Sequence, residues 1–417
     1  MFRAPSLRVL PAALSCLFFV ACGPKETPPD PRPNWYRDAQ PLVAQHCQTC
    51  HSAGGVTPFT LTSYDDFKAH SAEIRAAVQA RIMPPWMPSS DCNTYQGDRS
   101  LTQAQIDTLT GFIDDGLLLG DKKDEQHLDV TLPGLDRVDL TLQPEVAYTP
   151  NSLATNQNRS DDYRCFIVKP NLTGPKDLIG YRVVPGELHE VHHVLVYTMS
   201  ATTAQALDDG ETGPGWTCFG GPGSNQTSLV GAWAPGMPAI KYPNQTGITM
   251  NAGDVLVMQI HYNLANGAPT PDTTKVELEF AEVPVMWHAQ MFPMPNHDFE
   301  IPPRTVGFQS KMSLPALGIP ANLWGVAPHM HTKGVEIRVD VTHGDGSKSC
   351  LIDIPKWNFQ WQQLYFFSAH AGIPLKGDDQ LNISCTWDNN TDGMVTWGEN
   401  TADEMCLSFL YLTGSLQ

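Results

Sequence analysis

Val191-His192-His193-Val194-Leu195-Val196-Tyr197 reads as a β-strand with two histidines set into it. Two further runs share that content: Gln259-Ile260-His261-Tyr262-Asn263 and Pro328-His329-Met330-His331-Thr332. In the last, the i, i+2 spacing puts both imidazoles on one face of a strand, where a single metal ion can take both. His192 and His193 are adjacent, so a regular strand turns them to opposite faces. They reach one ion only if the strand is distorted, or if one ring binds through Nδ1 and the other through Nε2. One histidine on a strand is usually an ordinary core or surface group. Five in three such strands point to metal.

The surroundings are β throughout. From about residue 126 the chain runs in short β-rich stretches separated by Pro, Gly and Asn turns, which predicts strands at 190–199, 254–263, 275–280, 323–331 and 335–341. The 35 prolines and 33 glycines agree with that texture. At 417 residues, 41% of them hydrophobic, the chain holds two or three cored units. Its net charge of −18 excludes an electrostatic grip on nucleic acid or anionic headgroups. No nucleophile elbow, phosphate loop or dinucleotide fingerprint is present.

The N-terminal part differs. Cys47-Gln48-Thr49-Cys50-His51 is the c-type haem attachment motif, in which two thiols add to the haem vinyl groups and the adjoining His is an axial ligand. No second cysteine pair with zinc spacing lies nearby. An amphipathic helix is expected over 64–80 with Ser63 as N-cap, and another after a Thr102/Gln105 capping box, ended by Gly116. The intervening Arg81-Ile82-Met83-Pro84-Pro85-Trp86 resembles the Pro-rich loop of small cytochrome c domains, which makes Met83 the second axial ligand, with Met87 its rival. His46 and His70 read as surface residues.

Residues 1–22 look like an export signal: Arg3 and Arg8, a short apolar run, then Val20-Ala21-Cys22. The run resembles a bacterial lipobox, with lipidation at Cys22; ordinary signal cleavage is the alternative. Either reading places the chain outside the cytoplasm, and 23–34 reads as a tether. Six of the ten cysteines then remain for disulfides, Cys92, Cys165, Cys218, Cys350, Cys385 and Cys406, with fifteen possible connectivities.

The histidine strands, together with Thr401-Ala402-Asp403-Glu404-Met405-Cys406, resemble the copper type II, ascorbate-dependent monooxygenases over roughly residues 140–417. The resemblance implies a mainly β fold, with two jelly-roll-like β-sandwich lobes at 135–284 and 285–417 behind a small all-α cytochrome c domain at 35–122. It implies two coppers: His192, His193 and His261 hold the electron-storing one, and His329, His331 and Met405 the one that meets O2. A soft thioether favours Cu(I), and His-x-His with Met would be unusual for zinc. The resemblance also pairs Cys165 with Cys218 and Cys385 with Cys406, leaving Cys92 and Cys350 unassigned.

There are departures. Amidating members carry an Arg two residues before the His-x-His pair, where this chain has Ala327, and Phe409 stands where they have a hydroxylated aromatic. A glycine-extended peptide is therefore not the expected substrate. His189, His288, His297, His343 and His370 have no ligand role, and Met286, Met291 and Met294 read as strand core at the lobe junction. The expected protein hydroxylates a C–H bond of a small organic substrate with O2 and a reductant, the fused haem serving as an electron source. It meets a membrane only through its lipid anchor, in the bacterial cell envelope. A copper-binding or electron-transfer protein without catalysis is the alternative.

Overall fold

The computed structural model describes residues 32–53, 57–128, 133–151, 161–243, 245–264, 267–369, 372–398 and 402–414. Cys22, the leader, His370 and Thr401 lie outside the described residues.

Helices come first. Asn34 caps the π-helical turn Trp35–Ala39, and a proline opens Gln40–His46, where a missing N–H costs nothing. Ser63 with Asp66, and Thr102 with Gln105, close capping boxes that start Tyr64–Ala69 and Gln103–Asp114. The single helix expected over 64–80 is two, Tyr64–Ala69 and Ser71–Gln79. The break falls at His70, whose backbone leaves the helical region and whose ring stacks on Phe59 with centroids 3.9 Å apart. A contact from outside the helix has overridden the periodicity. Val43, Phe67, Leu109 and Phe112 are buried together with Trp35.

This helical cluster is not a free-standing unit. Trp86, Met87 and Tyr95, from the loop between its last two helices, pack into a β core far along the chain. The Tyr95 hydroxyl donates to the Leu351 carbonyl at 2.7 Å. Cys92 is bonded to Cys350, which gives the two unassigned cysteines to each other. Cys165 is bonded to Cys218 and Cys385 to Cys406.

The rest is mainly β, in sheets packed face to face. One antiparallel sheet has the order Trp216–Thr217, Asp161–Val168, Asp254–Asn263, Val191–Ser200, Thr227–Trp233. Its inner face and the sheet containing Lys176–Val184 and Lys275–Phe280 bury Leu178, Tyr181, Val196, Met258 and Tyr262. A second antiparallel sheet orders Thr305–Ser313, Gln380–Asn389, Gly334–Thr342, Lys348–Ile354. Against it pack Trp287–Pro295, Leu407–Thr413 and Ala321–His329, around Val339, Ile383, Trp387 and Leu410. The two cores share one sheet, through a short parallel pairing of Trp287 with Thr246 and His288 with Gly247. Among the described residues no helix is long and apolar enough to cross a membrane.

Two strand expectations need correction. The strand expected over 323–331 stops at His329, so His331 lies beyond it, in the turn. Met291 and Met294 are buried, whereas Met286 precedes its strand and is 64% exposed, so it is not core.

Candidate metal centres

The first cluster sits on the central strands of the five-stranded sheet. Val191 pairs with Tyr262 and His193 with His261, so His192 is an extra residue in the ladder. This β-bulge is the distortion that adjacent histidines need in order to converge. His192, His193 and His261 offer ligand atoms that all lie within 4.8 Å of one another. The His193 Nδ1 is 3.2 Å from the His192 Nδ1 and 3.3 Å from the His261 Nδ1. Two nitrogens each about 2.0–2.1 Å from one ion, at a tetrahedral angle, stand about 3.3 Å apart. The trio thus fits a single metal.

Its supports come from the neighbouring strand. His261 donates Nε2–H to the Asp161 carboxylate at 2.9 Å, which leaves Nδ1 unprotonated for the ion. Tyr163, opposite His261 in the ladder, lays its ring on that imidazole with centroids 4.2 Å apart. Burial lowers the pKa of all three histidines, that of His193 and His261 strongly, so they are neutral at physiological pH.

The second cluster is built at a strand end. His329 closes its strand and His331 follows in the turn, yet their rings stand 5.1 Å apart and perpendicular. His329 donates Nδ1–H to the Gln362 side-chain carbonyl, and His331 donates Nδ1–H to the Asp403 backbone carbonyl at 3.2 Å. In that tautomer each ring carries its lone pair on Nε2. Burial, then the neighbouring His331, push the His329 pKa down to about 3. The turn is held by Glu404, which accepts from the backbone N–H of His331 (2.9 Å) and Lys333 (2.6 Å) and from the Trp387 indole (3.0 Å). Burial raises the Glu404 pKa to about 7. Met405 is buried and lines the same cavity as His329 and His331.

That cavity, about 120 Å³, is shared: His193 of the first cluster also lines it, as do Phe219, Trp233, Phe359 and Phe409. Ala327 is on its wall.

The Cys47–His51 segment keeps two unbonded thiols, and burial pushes that of Cys47 up to about 12. His51 donates Nδ1–H to the Phe59 carbonyl at 3.1 Å, again leaving Nε2 free. Met83 is on the wall of a crevice of about 720 Å³ whose lining includes Leu101 and Ile106 but neither thiol nor His51. The rival Met87 is engaged elsewhere, its sulfur accepting from the Asn358 N–H at 3.2 Å.

Four histidines without a ligand role have other partners. His189 pairs with Glu187 and Glu190, His288 bonds Thr249, His297 packs on Trp397, and His343 lies between Asp379 and Ser349. His46 and His70 are half-buried; His46 meets the Gln105 amide at 3.2 Å, and His70 pairs with the exposed Glu73. Asp161, Gln362 and Glu404 were not singled out from sequence, although Glu404 sits inside the Asp-Glu-Met-Cys signature.

Residues 149–269 match the model for the copper type II ascorbate-dependent monooxygenase N-terminal domain, and residues 286–416 match that for its C-terminal domain. The chain belongs to this family. A human protein described as DBH-like monooxygenase protein 2 is 24% identical over 245 residues, which is 53% of this chain and 46% of the human one. The chain thus spans about half the length of the curated relative it matches. Among solved structures, a chain of the cowpea mosaic virus empty particle is 9% identical over 69% of this chain and 95% of its own, with a TM-score of 0.25. The major capsid protein P2 of bacteriophage PM2 is 9% identical over 68% and 95%, with a TM-score of 0.22. At those scores neither likeness bears on this copper monooxygenase family member.

Proposed function

We propose that this chain is a copper-dependent monooxygenase that hydroxylates a C–H bond of a small organic substrate with O2. The observation that carries this reading is the pair of donor clusters opening on one small apolar cavity. His192, His193 and His261 would hold one copper, and His329, His331 and Met405 the other. Copper bound there supplies one-electron chemistry with O2.

The chain's own residues do the rest. Asp161 keeps the His261 proton on Nε2, while Gln362 and the Asp403 carbonyl keep those of His329 and His331 on Nδ1, so each ring presents a lone pair to the metal. The Met405 sulfur favours the reduced ion, which makes its cluster the dioxygen side and the all-imidazole cluster the electron store. Phe219, Phe359 and Phe409 keep water from the substrate C–H. Among the described residues no Arg, Lys, Asp or Glu lines the cavity, which supports a neutral reacting end for the substrate. Members of the family use ascorbate as reductant.

The free thiols of Cys47 and Cys50 and the open Nε2 of His51 fit covalent haem, with Met83 the proposed second axial ligand; this haem is the proposed electron source. Residues 35–122 would then be the cytochrome part, ahead of copper lobes at 135–284 and 285–417. Cys22 would carry the lipid that anchors the chain in the cell envelope.

The test is copper content and O2 uptake by the copper-loaded full chain. Two coppers, and uptake requiring both a reductant and an organic hydrogen donor, are expected. Copper held without turnover on any donor would make this an electron-transfer or copper-binding protein instead. Haem is tested separately, by peroxidase staining of a denaturing gel, with the signal lost in Cys47→Ala. A colourless chain from a haem-maturing host removes the haem from the reading.

A further inference from the structure

The Cys47–His51 segment does not face solvent away from the copper cavity. It is seated against the cavity's outer wall. A Cβ built on Gly236 would lie 2.5 Å from the Cys50 sulfur, so that thiol rests directly on the loop after strand Thr227–Trp233. Over the same spot lies Arg99. Its guanidinium donates to the Gly236 carbonyl at 3.4 Å and to the Gln363 side-chain carbonyl at 2.8 Å, and the Cys50 thiol is close enough to act on its charge. Gln363 lines the cavity. The next residue back, Gln362, accepts the His329 Nδ1–H.

Between the Cys50 sulfur and the His329 ring there are therefore three side chains, Arg99, Gln363 and Gln362, joined by two hydrogen bonds and one peptide unit. The carrier of Arg99 is held rigidly. Gln96 N–H donates to the Phe366 carbonyl at 2.8 Å, Tyr95 is buried in the second β core, and Cys92 is covalently tied to Cys350. The Arg99 Nε is buried without a hydrogen-bond partner. An arginine held in that state by a fixed loop has a cost that surface solvation would have avoided.

We propose that Arg99 and Gln363 are positioning residues of an internal electron relay, one that couples the Cys47–His51 segment to the metal position of His329. This rests on the haem and copper reading above. One electron passes per event: haem iron(II) becomes iron(III) and copper(II) becomes copper(I), with no proton or bond exchanged. The alternative line from Cys50 runs through Gly236, back along the chain to Trp233 and across the ladder to Val194, beside His193. Both lines begin with a non-bonded step at the Cys50 sulfur, but only the Arg99 line ends in the hydrogen bond that the His329 ring donates to Gln362. Tunnelling decays less steeply along covalent and hydrogen bonds than across gaps, and past its first step the Arg99 line contains no gap.

The experiment uses the full chain carrying covalent haem and copper, fully oxidised. A flash-generated flavin reductant delivers one electron to the haem, and the loss of the reduced-haem absorbance is followed. Wild type is expected to re-oxidise in a first-order phase independent of protein concentration. Gln363→Met, which keeps bulk and removes the acceptor, and Arg99→Leu are each expected to slow that phase by about 10-fold or more, the scale of losses at groups supporting a ligand. Haem midpoint potential, copper content and melting temperature, measured alongside, should match wild type in Gln363→Met, which no loss of fold would produce. Re-oxidation at the wild-type rate in both variants overturns the relay. So does wild-type haem that stays reduced beside bound copper(II). A chain without stainable haem or without copper fails before any flash, and that result removes the underlying reading and the relay with it.

Discussion

The two donor clusters are made by opposite means. The His192, His193 and His261 cluster lies mid-sheet, where a bulge brings adjacent residues together and a neighbouring strand supplies Asp161 and Tyr163. The His329, His331 and Met405 cluster lies where a strand gives out, and its shape depends on one buried carboxylate, Glu404, gathering three N–H donors. The first inherits rigidity from ladder hydrogen bonds. The second is a turn held from below. A mid-sheet site suits a metal that only changes charge, whereas a turn at the cavity wall suits one whose surroundings change during turnover.

The comparison can be broken most decisively by deleting a ligand from one side. His331→Ala should abolish copper at its own cluster and leave the other filled, and His261→Ala should do the reverse. Metal analysis showing both coppers lost together in either variant would mean the clusters are not independent. Next comes Met405→Ile, which keeps apolar bulk. Its stability cost should stay under about 1.5 kcal/mol, while substrate-dependent O2 uptake nearly disappears. Unchanged uptake would show that the sulfur is not a ligand and that the clusters do not differ as described.

Glu404→Gln sharpens the contrast further. An amide carbonyl offers two acceptor positions to three donors, so one buried N–H is left unmet, at about 1–3 kcal/mol. Copper at the His331 side should weaken while the other site keeps its affinity. Asp161→Ala should have the mirror effect, about 10–100-fold weaker copper at the His261 side with little change in melting temperature. Copper titrations of both variants decide this. The smallest effect is expected at Met286, which is exposed and serves neither cluster. Met286→Ser should stay within about 0.5 kcal/mol of wild type with unchanged copper content.

How far the sequence carries depends on the range of the interaction. Capping boxes at Ser63 and Thr102 are local chemistry, and the helices start there. The strands at 254–263 and 275–280 are strongly β-patterned, and their limits hold to the residue. The bulge at His192 was readable only as a requirement, because period-2 alternation says nothing about where a ladder takes in an extra residue. Asp161 and Gln362 are common polar residues whose role exists only once register sets Tyr163 against His261 and a distant turn against His329. His70 shows the reverse failure, a helical periodicity broken by an aromatic partner outside the helix. The Cys92–Cys350 bond spans 258 residues, and no spacing rule reaches that far.

That same bond makes most of the molecule a closed covalent ring. Everything between residues 92 and 350, including the whole five-stranded sheet and five of the six donor residues, hangs inside one loop of chain. A protease that cuts once in the connector near residues 122–128 should therefore release no fragment under non-reducing conditions, and two on reduction. On the ribosome the consequence is one of order. The helical cluster leaves first, yet its fastening thiol has no partner until Cys350 has been made.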